Sequence, residues 1–196
     1  MSGFRNTALA WQRLTPMQER LARILFNAGF GPRTNGERTF ANYLATLPSL
    51  LPNVDNYLRH NLLVLVDPSF EIFEICELLE FGLDLRNQRL VDRNEPGKTS
   101  YWIWANDGGL NRRHTLYDAR ARLVPGEQML SAVEGLFLAV QHHKALKGGG
   151  IVLDGSHFPD RPDLIPVLEL FGSRPTLHAV KRSGAYTHSG AGTRQT

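Results

Sequence analysis

Two polar stretches carry the residue types from which a reaction centre could be built. The first runs from Asp107 to His114 and includes Asn111, Arg112 and Arg113; the second runs from Asp154 to His157. Each follows residues with strand character, and active groups cluster on strand-end loops. Brought to one rim of a sheet, Asp107, His114, Asp154 and His157 would supply carboxylates and imidazoles for acid–base catalysis, as in a small hydrolase or transferase. Arg112, Arg113 and Arg174 would hold an anionic group, since a guanidinium meets a carboxylate or phosphate through paired donors. The competing reading is that Asp107-Gly108-Gly109 and Asp154-Gly155 are turns selected for backbone shape, and turn chemistry alone suffices to explain them.

Other chemistries lack their grammar. Ser156 sits between Gly155 and His157 without a Gly-x-Ser-x-Gly elbow. Lys147-Gly148-Gly149-Gly150 closes a helical pattern, whereas a phosphate loop opens one. His142 and His143 are adjacent, so on a helix they diverge by about 100° and do not share one ion. With a single cysteine, Cys76, and no His-Glu-x-x-His spacing, neither a metal site nor a disulfide framework is expected. No cofactor is implied. Glu71, Glu74, Glu77 and Glu80 recur every third residue and spiral around a helix, which describes a solvated acidic face.

The elements that must position these residues follow from hydrophobic periodicity. Thr15-Pro16-Met17-Gln18 predicts a capped helix start, with Leu21, Ile24, Leu25 and Ala28 on its inner face and Gly29 as its stop. Phe30–Gly36 reads as a loop, and residues 37–47 as a second helix, ahead of a link bracketed by Pro48 and Pro52. The apolar run 61–66 predicts an interior strand. Asp67-Pro68 then opens a helix reaching about Phe81. Arg93–Thr99 is a turn, Tyr101–Trp104 a strand, and Leu116–Leu123 a short helix. A longer helix is expected over 127–147, stopped by Gly148. Ile151–Leu153, Val167–Phe171 and Leu177–Val180 complete the strands. The predicted architecture is α/β or α+β, a single mixed sheet of about four to six strands layered with helices. Residues 1–60 form an N-terminal helical segment packed on the main domain, 61–182 the α/β core, and 183–196 a flexible, Gly- and Ser-rich tail.

Composition narrows the class. The 196 residues are 42% hydrophobic and 21% charged, with formal net charge +3, as in ordinary globular proteins. Residues 1–60 hold seven basic against three acidic side chains, 61–110 four against nine, and 111–196 eleven against seven. Such blocks suit contacts within the fold or with a protein partner or second copy. The first acid is Glu19, so the N-terminus reads as a basic arm, with no apolar stretch of a secretory signal. No run approaches a membrane span, and a cytoplasmic protein with no membrane partner is expected. Arg112, Arg113, Lys144 and Lys147, with Trp102 and Trp104 for stacking, make nucleic acid a possible partner without any recognised binding motif.

Several short motifs occur in a familiar order. These are Tyr101-Trp102-Ile103-Trp104-Ala105-Asn106-Asp107-Gly108, Val133-Glu134-Gly135-Leu136, Leu153-Asp154-Gly155-Ser156, Pro166-Val167-Leu168-Glu169-Leu170, Arg174-Pro175-Thr176-Leu177 and the terminal Ser189-Gly190-Ala191-Gly192-Thr193-Arg194. In that order they resemble an uncharacterised bacterial family known only as a domain of unknown function, mainly over residues 100–194. The resemblance implies a small bacterial protein and brings no activity, cofactor or catalytic residue with it. A binding or scaffolding module is the leading expectation. The polar strand-end enzyme is its rival, and a weak nucleic-acid binder comes third.

Overall fold

The computed structural model describes residues 14–36, 38–49, 59–85, 87–93, 99–182 and 189–195. The expected basic arm (1–13), most of the proline-bracketed link (50–58), most of the polar turn (94–98) and the start of the tail (183–188) lie outside those residues.

Helix α1 (Pro16–Asn27) begins as its sequence dictates. Thr15 Oγ1 accepts the Gln18 amide at 3.3 Å, and the Gln18 side-chain oxygen accepts the Thr15 amide at 2.9 Å. The expected loop after it is instead a short helix, α2 (Phe30–Asn35), bounded by Gly29 at φ 95° and Gly36 at φ 67°. The glycines mark the ends of this helix because they supply the left-handed backbone there. Helix α3 (Phe40–Thr46) starts at Thr39, whose hydroxyl accepts the Asn42 amide.

Strand β1 (Leu62–Val66) falls where the apolar run predicted it. The helix expected from Pro68 begins later, as α4 (Ile72–Leu78). The Asp67 carboxylate turns back onto the Ser69 amide at 3.1 Å, and Glu74 accepts the Glu71 amide at 2.9 Å, so the second acid pair sets the boundary. Then come β2 (Gly82–Asp84), β3 (Val91–Asp92), β4 (Tyr101–Asn106), a 3₁₀ turn at Gly109–Asn111 and α5 (Leu116–Ala121).

The single helix expected over 127–147 is replaced by β5 (Glu127–Met129), α6 (Ala132–Gln141) and a 3₁₀ turn (Ala145–Gly148). Ser131 and Glu134 explain the break. The Ser131 hydroxyl accepts the Glu134 amide and the Glu134 carboxylate accepts the Ser131 amide at 2.8 Å, which nucleates a helix at Ala132 and frees the preceding residues to pair as a strand. The chain ends with β6 (Gly150–Val152), β7 (Ser156–His157), β8 (Leu164–Phe171), β9 (Arg174–Lys181), β10 (Ser189–Ala191) and β11 (Thr193–Gln195).

The protein is mixed α/β, but the strands form three sheets among the described residues, where a single sheet was expected. One is antiparallel in the order β1-β4-β11-β5. The second has the order β10-β6-β8-β9-β2, with parallel pairs at both edges, and β3 pairs with β7 as a small ribbon. One apolar cluster includes Leu21, Leu25, Phe30 and Tyr43 of the first helices together with β1, β4 and α6. Within it Leu136, Phe137 and Leu138 are fully buried, each worth roughly 1.5–3 kcal/mol of transfer free energy. Trp102 and Trp104 are buried too, at 4% and 9% exposure, so neither is available to stack a base.

The terminal segment also departs from expectation. Residues 189–195 are buried strands rather than a flexible tail. β10 runs parallel to β6 in one sheet and β11 lies between β4 and β5 in another, with Gly192 at the crossing. A Cβ on Gly192 would stand 2.7 Å from both Ile151 and Leu130. Small residues are needed there because two sheets meet at one backbone, and the same composition resembles a linker.

Candidate functional site

Three of the four residues expected to form a reaction centre have separate partners, and no hydrogen bond joins any two of the four among the described residues. Asp154 is buried and lies between two guanidiniums, Arg120 Nε at 2.5 Å and Arg182 Nη1 at 3.1 Å. His114 faces the Arg122 guanidinium. His157 lies on β7, and its Nδ1 is buried without a hydrogen-bond partner. Asp107 accepts the Gly109 amide at 2.9 Å and closes its own turn. The proposed anion holders diverge as well. Arg174 donates to the carbonyls of Glu80 (2.9 Å) and Phe81 (3.1 Å), tying β9 to the end of α4. The guanidinium of Arg112 covers Gly148, where a Cβ would come within 2.4 Å of it. Arg113 is exposed in a left-handed conformation, φ 68°.

Three polar clusters, largely unread in the sequence, organise the interior. The first surrounds the start of α6. Ser156 is fully buried; its hydroxyl donates to Asp92 and accepts the Ala132 amide at 2.7 Å. Strand alternation sends the neighbouring His157 to the opposite face of β7. A nucleophilic serine needs a base and an approach path, and this hydroxyl is committed to structure. Burial pushes the Asp92 carboxyl above its usual range, against the pull of Ser156, Ser131 and the first amides of α6. Glu134, also raised by burial, is countered by Arg194, whose Nε lies 2.8 Å away, by the Ser131 amide and by the Tyr101 hydroxyl at 3.1 Å. Arg194 donates as well to Gln128 at 2.8 Å.

The second cluster joins Glu127 to His60 Nε2 (3.1 Å) and Arg59 Nε (3.0 Å), with Thr193 Oγ1 3.2 Å from the same imidazole nitrogen. Burial opposes the Glu127 charge. The bonds from His60, Thr193, the Val124 amide and Arg59 outweigh it and hold the carboxyl at about 2. The third cluster closes the free edge of β1. The Gln141 amide gives its oxygen to the Leu65 N–H (3.0 Å) and its nitrogen to the Leu65 carbonyl (2.7 Å), as a neighbouring strand would. His142 Nε2 adds a donor to the Leu63 carbonyl at 2.7 Å. Burial keeps this imidazole below its ordinary pKa; the Leu63 bond pulls the other way, and the charges of Arg20 and His143 add to the depression.

Beside this third cluster lies an open cleft of about 370 Å³, lined by Arg20, Leu62, Asp107, Gln141, His142, His143, Lys144 and Ala145. Its volume falls within the range of small-molecule sites, roughly 300–1,000 Å³. Arg20 comes from α1, Leu62 from β1, Asp107 from the turn after β4, Gln141 from the last position of α6 and the rest from the segment that follows it. Arg20 and Lys144 are exposed and have no ion-pair partner among the described residues. Of the residues singled out in the sequence as reactive, Asp107 alone lines the cleft. Arg20 and Leu62 carried no sequence signal, because only the packing of α1 against β1 and α6 brings them there.

A second hollow of about 620 Å³ involves Cys76, Glu77, Glu80 and Arg174. Burial raises the Cys76 thiol to about 12, so it is a poor nucleophile and metal ligand at neutral pH. Among the described residues no cluster of three or more His, Cys, Asp or Glu side chains could hold a metal ion, and no helix is long and apolar enough to cross a membrane. Compared with protein-family models, curated proteins and solved structures, the chain matches none.

Proposed function

We propose that the protein is a binding module that takes a small anionic ligand in the cleft at the end of α6. The supporting observation is the contrast in how charges are used. Asp154, Glu127 and Glu134 are each met by guanidiniums inside the fold, whereas Arg20 and Lys144 line a cleft and have no ion-pair partner among the described residues. The ligand that fits is a carboxylate or phosphate monoester with a short apolar body and one hydrogen-bond donor. Its anion meets Arg20 and Lys144, its body rests on Leu62 and Ala145, and its donor meets the Asp107 carboxylate.

The rival reading, a hydrolase or transferase, finds less support, since Asp154 and Ser156 are held by structural bonds. The resemblance to the uncharacterised bacterial family belongs to this proposal too.

Titration calorimetry with a panel of small carboxylates, phosphate esters and their uncharged analogues tests the reading. A charged member of the panel binds, and Lys144→Ala weakens it by about 1–2 kcal/mol, the scale of one charge-assisted hydrogen bond. If uncharged analogues bind equally well, or if Arg20→Ala with Lys144→Ala changes nothing, the cleft is not an anion site.

A further inference from the structure

The surface built around α5 carries a different kind of partner. Leu116 and Ala119 are buried beneath this helix, and Tyr117 stands on its outer side with 81% of its surface exposed. Two exposed arginines share this helix end with it. Arg120 meets Asp154, beside Arg182. The Arg122 guanidinium faces His114, and its carbonyl accepts Arg59 Nη2 at 3.1 Å. Arg113, just before the helix, is exposed and has no ion-pair partner among the described residues.

The acids on this side only partly offset the charge at the surface. The side chains of Asp154 and Glu127 are 1% and 0% exposed. Asp118 is exposed, accepts the Thr115 hydroxyl at 2.6 Å and lies in the field of His114 and Arg122. Arg113, Arg120 and Arg122 remain exposed alongside an exposed aromatic ring. Every cation in the group is arginine, and its planar fork suits phosphate oxygens better than the point charge of lysine. Among the described residues, the bonds of Arg120 to Asp154, of Arg122 to His114 and of Arg59 to Glu127 and the Arg122 carbonyl leave further N–H groups over, since a guanidinium carries five.

We propose that this face docks single-stranded nucleic acid, with phosphates on Arg113, Arg120 and Arg122 and a base stacked on Tyr117. An acidic peptide or an anionic lipid surface would use the charges, but neither needs a flat exposed ring set among them. The inference is independent of the cleft and involves none of its residues. The stacking role expected of Trp102 and Trp104 passes to Tyr117, because the tryptophans are buried and the tyrosine is not.

Fluorescence anisotropy of a labelled oligothymidylate of about 20 nucleotides, titrated with the full chain at several salt concentrations, tests the proposal. The expected result is binding that weakens steeply as salt rises. Tyr117→Ala then loses about tenfold in affinity. Arg113→Gly lowers the slope of log K against log salt by about one, and its fold is preserved because glycine accepts that residue's positive φ. Arg33→Ala, which removes a charge from α2, leaves binding unchanged. No binding at about 50 mM salt overturns the proposal. So does a Tyr117→Ala protein, folded by circular dichroism, that binds like the parent. Equal losses in Arg33→Ala and Arg113→Gly, or polyglutamate or anionic vesicles bound in place of the oligonucleotide, overturn it as well.

Discussion

Glu127 shows how far a single side chain here is shaped by partners remote in sequence. Arg59 and His60 lie 68 and 67 positions before it and Thr193 lies in the last strand, yet together they hold its carboxyl at about 2. A carboxylate depressed below its ordinary value of about 4.3 stabilises the fold above that value, and the contribution is lost as pH falls toward 2. Urea midpoints measured from pH 7 downward should therefore show Glu127→Gln less stable than the parent by about 2 kcal/mol at neutral pH. The gap should narrow below the ordinary carboxylate range. A gap that stays constant with pH would show that the charge of Glu127 is not what the cluster stabilises. Asp154 behaves differently. Because Arg120 and Arg182 are 42% and 25% exposed and water can serve them once the anion is gone, Asp154→Leu should cost only about 1–2 kcal/mol in the same assay. The sequence singles out Asp154 and Ser156 as polar groups on strand-end loops, but not the arginines 34 and 28 positions away that claim Asp154. Separation along the chain hides such partners. The local pair Ser131 and Glu134 was open to reading, because Ser-x-x-Glu is a capping signature in its own right.

At the scale of elements, α6 links the polar clusters to the cleft. Its first turn receives Asp92, Ser156 and Glu134, and its last residues seal β1 and line the cavity. Periodicity locates α1, β1 and α5 closely, since each pairs a clear apolar face with its own cap or boundary. It overextends the helices near Asp67 and Glu127, where competing caps a few residues later decide the start. Gln141 cannot be read from the sequence as a strand mimic, because that role exists only once β1 lies alongside. Replacing it leaves an open edge with unpaired N–H and C=O groups, which invites pairing between molecules. Gln141→Leu should lose about 2–3 kcal/mol, and size-exclusion chromatography should show self-association absent from the parent. A monomer of unchanged stability would mean the β1 edge is protected by other groups. The contact between Gly108 and Gly190 is equally specific. A Cβ on Gly190 would lie 1.9 Å from the Gly108 carbonyl oxygen, so Gly190→Ala must separate β10 from the turn after β4. That substitution should lower the melting temperature by roughly 10 °C or more.

For the molecule as a whole, the C-terminal strands decide the architecture. β11 fills a central position of one sheet and β10 an edge of another, so the last segment joins the sheets. Mixed α/β composition is legible from alternating strand and helix signals. The number of sheets is not, since it depends on which short strand pairs with which, and the glycine-rich terminus reads as a linker. Within that frame, paired charges lie inside, and Arg20 and Lys144, without ion-pair partners among the described residues, line the cleft that the proposed ligand would use. Amide chemical-shift mapping of the full chain, titrated with the best-binding charged ligand from the calorimetric panel, tests this claim most directly. The perturbed amides should cluster at Leu62, Asp107 and the segment from Gln141 to Ala145. Shifts confined to the surroundings of Asp92, Asp154 and Ser156, with the cleft silent, would contradict it.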